Sequence, residues 1–141
     1  MVIDASALTA ILLGEPEGDA LSRAIVLDPR RLVSAFGLLE AGIVIEARKG
    51  EAGGRELDLL LHRVHADVVP LTESQVEVAR AAWRAWSKGR HPAGLTVGDC
   101  AAYALAKTSG EPLLCKGEDF VQTDAVLAGR QTGGTDRKSV V

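Results

Sequence analysis

A chain of 141 residues has the length of one domain, enough to bury a single core, which excludes a multidomain machine. With 47% of residues hydrophobic and 25% charged, the composition excludes a wholly disordered, collagenous or coiled-coil chain. The formal charge of 16 − 19 = −3 excludes a strongly basic protein with general affinity for polyanions.

In chain order, Val2 to Asp4 is a short apolar run that stops at an acid. Ala5 to Leu13 follows with Leu8, Ile11 and Leu12 at helical spacing and Ser6 able to cap, so a strand feeds a helix. Gly14 and Pro16 break that helix, and Glu17 to Leu27 resumes helical spacing until Asp28-Pro29. Arg31 to Ser34 reads as a second strand. Ala35 to Lys49 is a helix apolar on several sides through Phe36, Leu38, Leu39, Ile43, Val44 and Ile45, a pattern that predicts a largely buried element.

Gly50 ends that helix, and Arg55 to His65 forms another with Leu57, Leu60, Leu61 and Val64 inward. Asp67 to Leu71 is a third strand. Thr72 caps an amphipathic helix whose stripe runs through Val76, Ala79, Ala82, Trp83 and Trp86 to an end near Gly89. After a loop from Arg90 to Leu95, Thr96 to Ser109 is helical with Gly110 as its stop. Pro112 to Cys115 is a fourth strand and Ala125 to Leu127 a weak fifth. From Gly129 the polar, glycine-rich GRQTGGTDRKSVV predicts a flexible tail, so residues 1–128 form the domain and 129–141 the tail.

No run approaches the roughly 18–20 apolar residues of a membrane span, and Asp4 stands where a signal peptide has its basic segment. The expected location is cytoplasmic, without a membrane partner. Cys100 and Cys115 make no CxxC motif and read as small buried hydrophobes, while His62, His65 and His91 lack metal-ligand spacing.

Strands alternating with helices imply a central, mainly parallel sheet of four to five short strands covered on both faces, a three-layer α/β/α domain. Sites in such sheets lie at the carboxyl ends of the strands. Asp4 should project there from the end of the first strand, Asp99 from the first turn of the helix after Thr96, and Asp119 from the segment after the fourth strand. Each acid also has a structural use: Asp4 bonding turn amides, Asp99 pairing with Thr96 in a capping box, Asp119 forming a turn.

Glu40 lies inside the apolar helix between Leu39 and Ala41, where an unpaired charge is costly, so something cationic should meet it. Lys116 is the one basic residue expected at the same edge. Converging carboxylates therefore require a divalent cation, and oxygen-only ligation suits Mg²⁺, with Mn²⁺ as substitute. Such an ion polarises a phosphodiester and activates water, which makes a nuclease the chemical expectation.

The motifs VIDASAL with Asp4, SAFGLLEAGIVIEARKG with Glu40, LTVGDCAAYALAK with Asp99 and PLLCKGEDF with Asp119 follow one another at spacings that resemble PIN-domain ribonucleases. Within that family the chain is similar to the VapC toxins of bacterial VapBC toxin-antitoxin systems, from Met1 to about Leu127. The resemblance implies a PIN-like fold in which Asp4 and Asp99 ligate Mg²⁺, Glu40 completes the acidic pocket, and Asp119 binds directly or through water. Ser6 matches the small hydroxyl residue that bonds the cluster or the substrate, and Gly117 stands where many relatives carry an acid. Also implied are a homodimer, a VapB-type antitoxin and structured RNA, commonly tRNA or rRNA, as target. The antitoxin is expected to place an Arg in the pocket and to cover an apolar groove around Leu12 and Leu21.

Arg80, Arg84 and Lys88 stack on one helical face at about 100° per residue, with no acid among them. They are either a solvated face or an RNA-phosphate track leading through Arg90 and His91 toward Asp99. Trp83 and Trp86 read as core or dimer interface. Two rival functions stand beside the nuclease: a receiver-like signalling module, and a non-catalytic PIN-like binding domain.

Overall fold

The computed structural model describes residues 1–129, so all of the expected tail except Gly129 lies outside the described residues. In chain order the elements are β1 (Val2–Ile3), α1 (Ala5–Leu12), α2 (Gly18–Leu27), β2 (Leu32–Ser34), α3 (Ala35–Arg63), β3 (Asp67–Val69), α4 (Glu73–Trp86), α5 (Val97–Ser109) and β4 (Leu113–Leu114). The strands form a four-stranded sheet in the order β3-β2-β1-β4, every pair parallel.

Period-two alternation divides the core. Ile3, Val33 and Leu114 face α1, α2 and α3 and join a cluster with Leu8, Ile25, Ala41, Ile45 and Leu57. Val2, Leu32 and Leu113 face the other way and pack with Ala82, Leu95, Cys100, Tyr103 and Leu105 from α4, α5 and the loop between them. β1, β2 and β4 are thereby covered on both faces while the edge strand β3 is largely exposed, and Cys100 and Cys115 are both buried thiols.

The weak fifth strand is reduced to one parallel bridge between Leu113 and Leu127. It is closed by Leu113 N donating to Val126 O and Ala128 N donating to Leu113 O. Expected helix boundaries at Gly50 also change. α3 is bent there, with Gly50 at φ 68 and ψ −166, but its second arm begins directly after the bend and includes Gly53 and Gly54. A Cβ at Gly53 would lie 2.9 Å from Ile45 Cγ2, so the small residues let the arms close on one another.

The first arm of α3 is not largely buried. Ala41 and Ile45 are fully covered, but Leu39 is 59% and Ile43 62% exposed. The sheet covers only the stripe that faces it, which leaves the other apolar side of this helix in solvent. Around the expected groove, Leu21 is core and Leu12 packs against it, while Val26 and Leu27 are the exposed large apolar residues of α2.

α4 ends at Trp86, so Lys88 lies beyond the helix. There Lys88 N donates to Leu95 O and Leu95 N to Trp86 O, which ties the end of α4 to the residue before the α5 cap.

Candidate active site

Two helix N-termini converge at the carboxyl edge of the sheet. β1 stops at Ile3, so Asp4 is the N-cap of α1 rather than the last strand residue. Its amide donates to Leu114 O at 2.9 Å, and its Oδ2 accepts from Ser6 N at 3.0 Å. Asp99 is the third residue of α5: its Oδ2 accepts from Thr96 N at 3.0 Å, and Thr96 Oγ1 accepts from Asp99 N at 3.3 Å. Both acids thus perform the local capping that their positions predict. Capping does not exhaust them, because each carboxylate also lines a shared cavity.

That cavity has a volume of about 290 Å³ and is lined by Asp4, Ala5, Ser6, Thr9, Glu15, Glu40, Val44, Asp99 and Lys116. Glu40 enters it from the first arm of α3 and rests against the backbone of Gly98, in the first turn of α5. Among the described residues Glu40 has no ion pair, so no side chain there supplies the cationic partner expected for it. Lys116 is the one basic residue of the lining. Its Nζ lies 2.5 Å from Glu15 Oε1, and its amide donates to Ser6 Oγ at 3.0 Å.

Burial is the first cause of every shift in the cluster. It pushes the Asp4 carboxyl up to about 6; hydrogen bonds from Ser6 oppose the rise and the Glu40 charge adds to it. Asp99 is raised by burial, held back by the Thr96 amide, and raised further by Asp4 and Asp119. Glu40 is raised by burial and then by Asp99. The acids therefore act on one another, and Asp4 sits only 4% exposed among them.

Asp119 is exposed, outside the cavity lining, and reaches the cluster through its charge on Asp99. Gly117 has φ 89, a backbone region that L side chains rarely adopt, which explains a glycine where an acid was expected from the resemblance. Ser6 bonds Asp4 and holds the segment after β4, so it serves to set the cavity wall. Glu15, Thr9 and Gly98 were not singled out in the sequence. Glu15 sits in the break between α1 and α2, and only folding brings it to Lys116.

The donor set is all oxygen, which suits a hard divalent cation. Among the described residues, however, no three His, Cys, Asp or Glu side chains are gathered closely enough to hold a metal ion by themselves. An ion that keeps several of its waters fits so spread a set better than one that requires full protein ligation.

Arg80, Arg84 and Lys88 are exposed and make no ion pair among the described residues. They do not share one helical face: Lys88 lies beyond α4, and Arg80 borders an apolar groove with Phe36, Leu71, Val76, Trp83 and Val97. Trp83 is 40% exposed, with the Arg90 guanidinium 4.4 Å from its ring centre. Trp86 is half-buried, edge-on to Tyr103.

Residues 1–126 match the PIN domain family. The chain is 56% identical over 124 residues to ribonuclease VapC30 of Mycobacterium tuberculosis, covering 88% of this chain and 95% of that protein. The fold is similar to that of VapC20 of Mycobacterium tuberculosis, a sarcin-ricin loop cleaving toxin, at TM-score 0.73 and 17% identity over 89% of this chain and 95% of that one. It is also similar to a chain of a toxin-antitoxin complex from Klebsiella pneumoniae, at TM-score 0.69 and 14% identity over 93% and 98%. At these identities the two structural likenesses are ones of fold.

Proposed function

The chain belongs to the PIN-domain family and, within it, to the VapC ribonucleases, and from that premise we propose that it is a Mg²⁺-dependent endoribonuclease acting as the toxin of a toxin-antitoxin pair. The observation that carries the reading is the cavity itself. Asp4, Glu40 and Asp99 share it, all with raised carboxyl pKa, while its one cation, Lys116, is held by Glu15.

Asp4 and Asp99 are the residues that would hold the ion, with Glu40 completing the pocket and Asp119 acting through its charge. Mg²⁺, or Mn²⁺ in its place, supplies polarisation of a phosphodiester and a lowered pKa of bound water. The chain's own groups prepare the reaction. Ser6 orients Asp4, and the Thr96 cap fixes Asp99. Lys116 exchanges Glu15 for a substrate phosphate oxygen, compensating charge that accumulates as water adds to phosphorus and the ribose oxygen departs.

Structured RNA, tRNA or rRNA, is the substrate class, reached across the exposed cations Arg84 and Lys88. The partner is a VapB-type antitoxin whose Arg side chain, forked to match carboxylates, enters the acidic cavity while apolar contacts cover Val26, Leu27 and the outer side of α3. A homodimer uses the groove beside Trp83, and the setting is the bacterial cytoplasm. No helix among the described residues is long and apolar enough to cross a membrane. The family match, to the PIN domain over residues 1–126, favours the nuclease over the receiver-like alternative.

The test is cleavage of total tRNA and rRNA by purified protein with Mg²⁺, with Mn²⁺ and with excess EDTA. Cleavage that needs the ion and is lost in Asp4→Asn supports the reading. Full activity in EDTA overturns the metal mechanism, and tight Mn²⁺ binding without cleavage of any RNA favours a non-catalytic PIN domain.

A further inference from the structure

We propose that Gly98 is the positioning residue for Glu40: the absent side chain at 98 is the slot that lets the Glu40 carboxylate enter the cavity. The proposal rests on the reading of Asp4, Glu40 and Asp99 as working acids.

Gly98 is the second residue of α5, one position before Asp99, and is buried. Its backbone gives no reason for glycine. It is absent from the residues with positive φ, and alanine is favoured over glycine within a helix. Space gives the reason. A Cβ built at 98 would lie 2.5 Å from Glu40 Oε2 and 2.6 Å from its Cδ, with Oε1 nearer still. Real Cβ atoms do not approach a carboxylate so closely, so the two groups exclude each other.

The other α-helical glycines mark the contrast. At Gly37 and Gly42 the nearest atoms to an added Cβ are at 3.8 and 3.9 Å, ordinary contact, and at Gly18 the near atom is the Ala10 carbonyl at 3.1 Å, between α1 and α2. At Gly53 and Gly54 the crowding is between the two arms of α3, away from the acids. Among the described glycines, only at Gly98 does the crowding join the element that carries Glu40 to the element that carries Asp99. Because Glu40 ends a flexible side chain, a methyl at 98 displaces the carboxylate toward solvent instead of unfolding the helix.

The experiment compares wild type, Gly98→Ala, Glu40→Ala, the Gly98→Ala/Glu40→Ala pair and the Gly98→Ala/Glu40→Asp pair. The readouts are Mn²⁺ binding by calorimetry without RNA, thermal melts in EDTA, and RNA cleavage. Gly98→Ala is expected to melt in EDTA no lower than wild type and to lose Mn²⁺ affinity by on the order of tenfold, the size usual for disturbed supports of a metal site. In the Glu40→Ala background Gly98→Ala is expected to change nothing further. An aspartate side chain, one methylene shorter, clears the methyl, so the Gly98→Ala/Glu40→Asp pair is expected to bind Mn²⁺ more tightly than Gly98→Ala alone.

Wild-type affinity and cleavage in Gly98→Ala, beside losses in Glu40→Ala, overturn the role of Gly98 and leave the acidic site standing. No loss in Glu40→Ala overturns both readings. If Gly98→Ala does not fold, the Glu40→Asp pair decides: folded protein that binds Mn²⁺ above the level of Glu40→Ala supports the slot, and binding no better than Glu40→Ala overturns it.

Discussion

Lys116 Nζ and Glu15 Oε1 stand 2.5 Å apart, within the lining of the same cavity that holds Asp4, Glu40 and Asp99. Among the described residues the one basic side chain of that lining is therefore matched by a carboxylate other than Asp4, Glu40 and Asp99, and none of those three has an ion pair. Glu15 is the first cause of the raised Lys116 pKa, so the ammonium stays protonated throughout the neutral range. Lys116→Ala is expected to raise KM for RNA several-fold with a smaller change in kcat, while Mn²⁺ affinity rises or holds. Steady-state cleavage with calorimetry checks this, and an unchanged KM removes Lys116 from the substrate path.

Asp4→Asn and Asp99→Asn are each expected to lower cleavage by at least a hundredfold. Metal-free stability is expected to hold or increase, because each removes a desolvated like charge from a crowded site. For the fully buried Asp4, a carboxyl pushed up from 3.8 to about 6 corresponds to a gain on the order of 1–3 kcal/mol near pH 7, less whatever the Asn amide loses at Ser6. Melts in EDTA give the sign. A clear drop for Asp4→Asn would make its cap to Ser6 dominant over its buried charge.

The same shifts set the pH dependence. A carboxyl raised by folding holds its proton more tightly in the folded chain than in the unfolded one, so its contribution is fullest below the unfolded pKa and is lost as pH rises through the folded value. Metal-free protein is expected to lose stability from about pH 4 to pH 6 through Asp4, with Asp99 and Glu40 acting in the same direction. Mg²⁺ is expected to restore it above pH 6 and to have little effect at pH 5, where protons occupy the acids. Melts across pH with and without Mg²⁺ test both halves.

Arg84 and Lys88 are exposed and unpaired among the described residues, and the Lys88 amide is bonded to Leu95, next to the Thr96 cap of the helix that carries Asp99. Replacing both by Ala is expected to weaken binding across unrelated RNA sequences, since phosphate contacts position without reading bases. Each phosphate interaction removed should flatten the slope of log K against log salt by roughly 0.7–0.9. Mn²⁺ affinity should not change. An unchanged slope returns these residues to a solvated surface and makes Arg48 the next candidate for the RNA path, because Lys49 is engaged with Glu56.

Trp83, Val76 and Val97 present an apolar surface beside Phe36 and Leu71. If this groove joins two copies, Trp83→Glu should shift the purified protein from dimer to monomer in sedimentation while its melting temperature changes little. A dimer that survives the substitution assigns self-association to another face, first to Leu39 and Ile43.

Most of the fold is local chemistry and could be read along the chain. Short apolar runs bounded by Asp4 and Ser34, caps at Thr72 and Thr96, and the left-handed Gly110 specify strands and helices through interactions within a few residues. The motifs around Asp4, Glu40 and Asp99 pointed to one sheet edge because every parallel strand ends there. Tertiary structure decided what periodicity does not encode. It left Leu39 and Ile43 in solvent, because a helix apolar on several sides says nothing about which side the sheet will cover. It shortened the fifth strand to the Leu127 bridge, placed Lys88 past the end of α4, and brought Glu15 to Lys116 across 101 positions. It also set Glu40 against Gly98, a pairing fixed by the distance between two helices on the same sheet edge. Such contacts depend on the packing of elements remote in sequence, and pattern along a chain carries information only about the neighbours that helix and strand periods bring together.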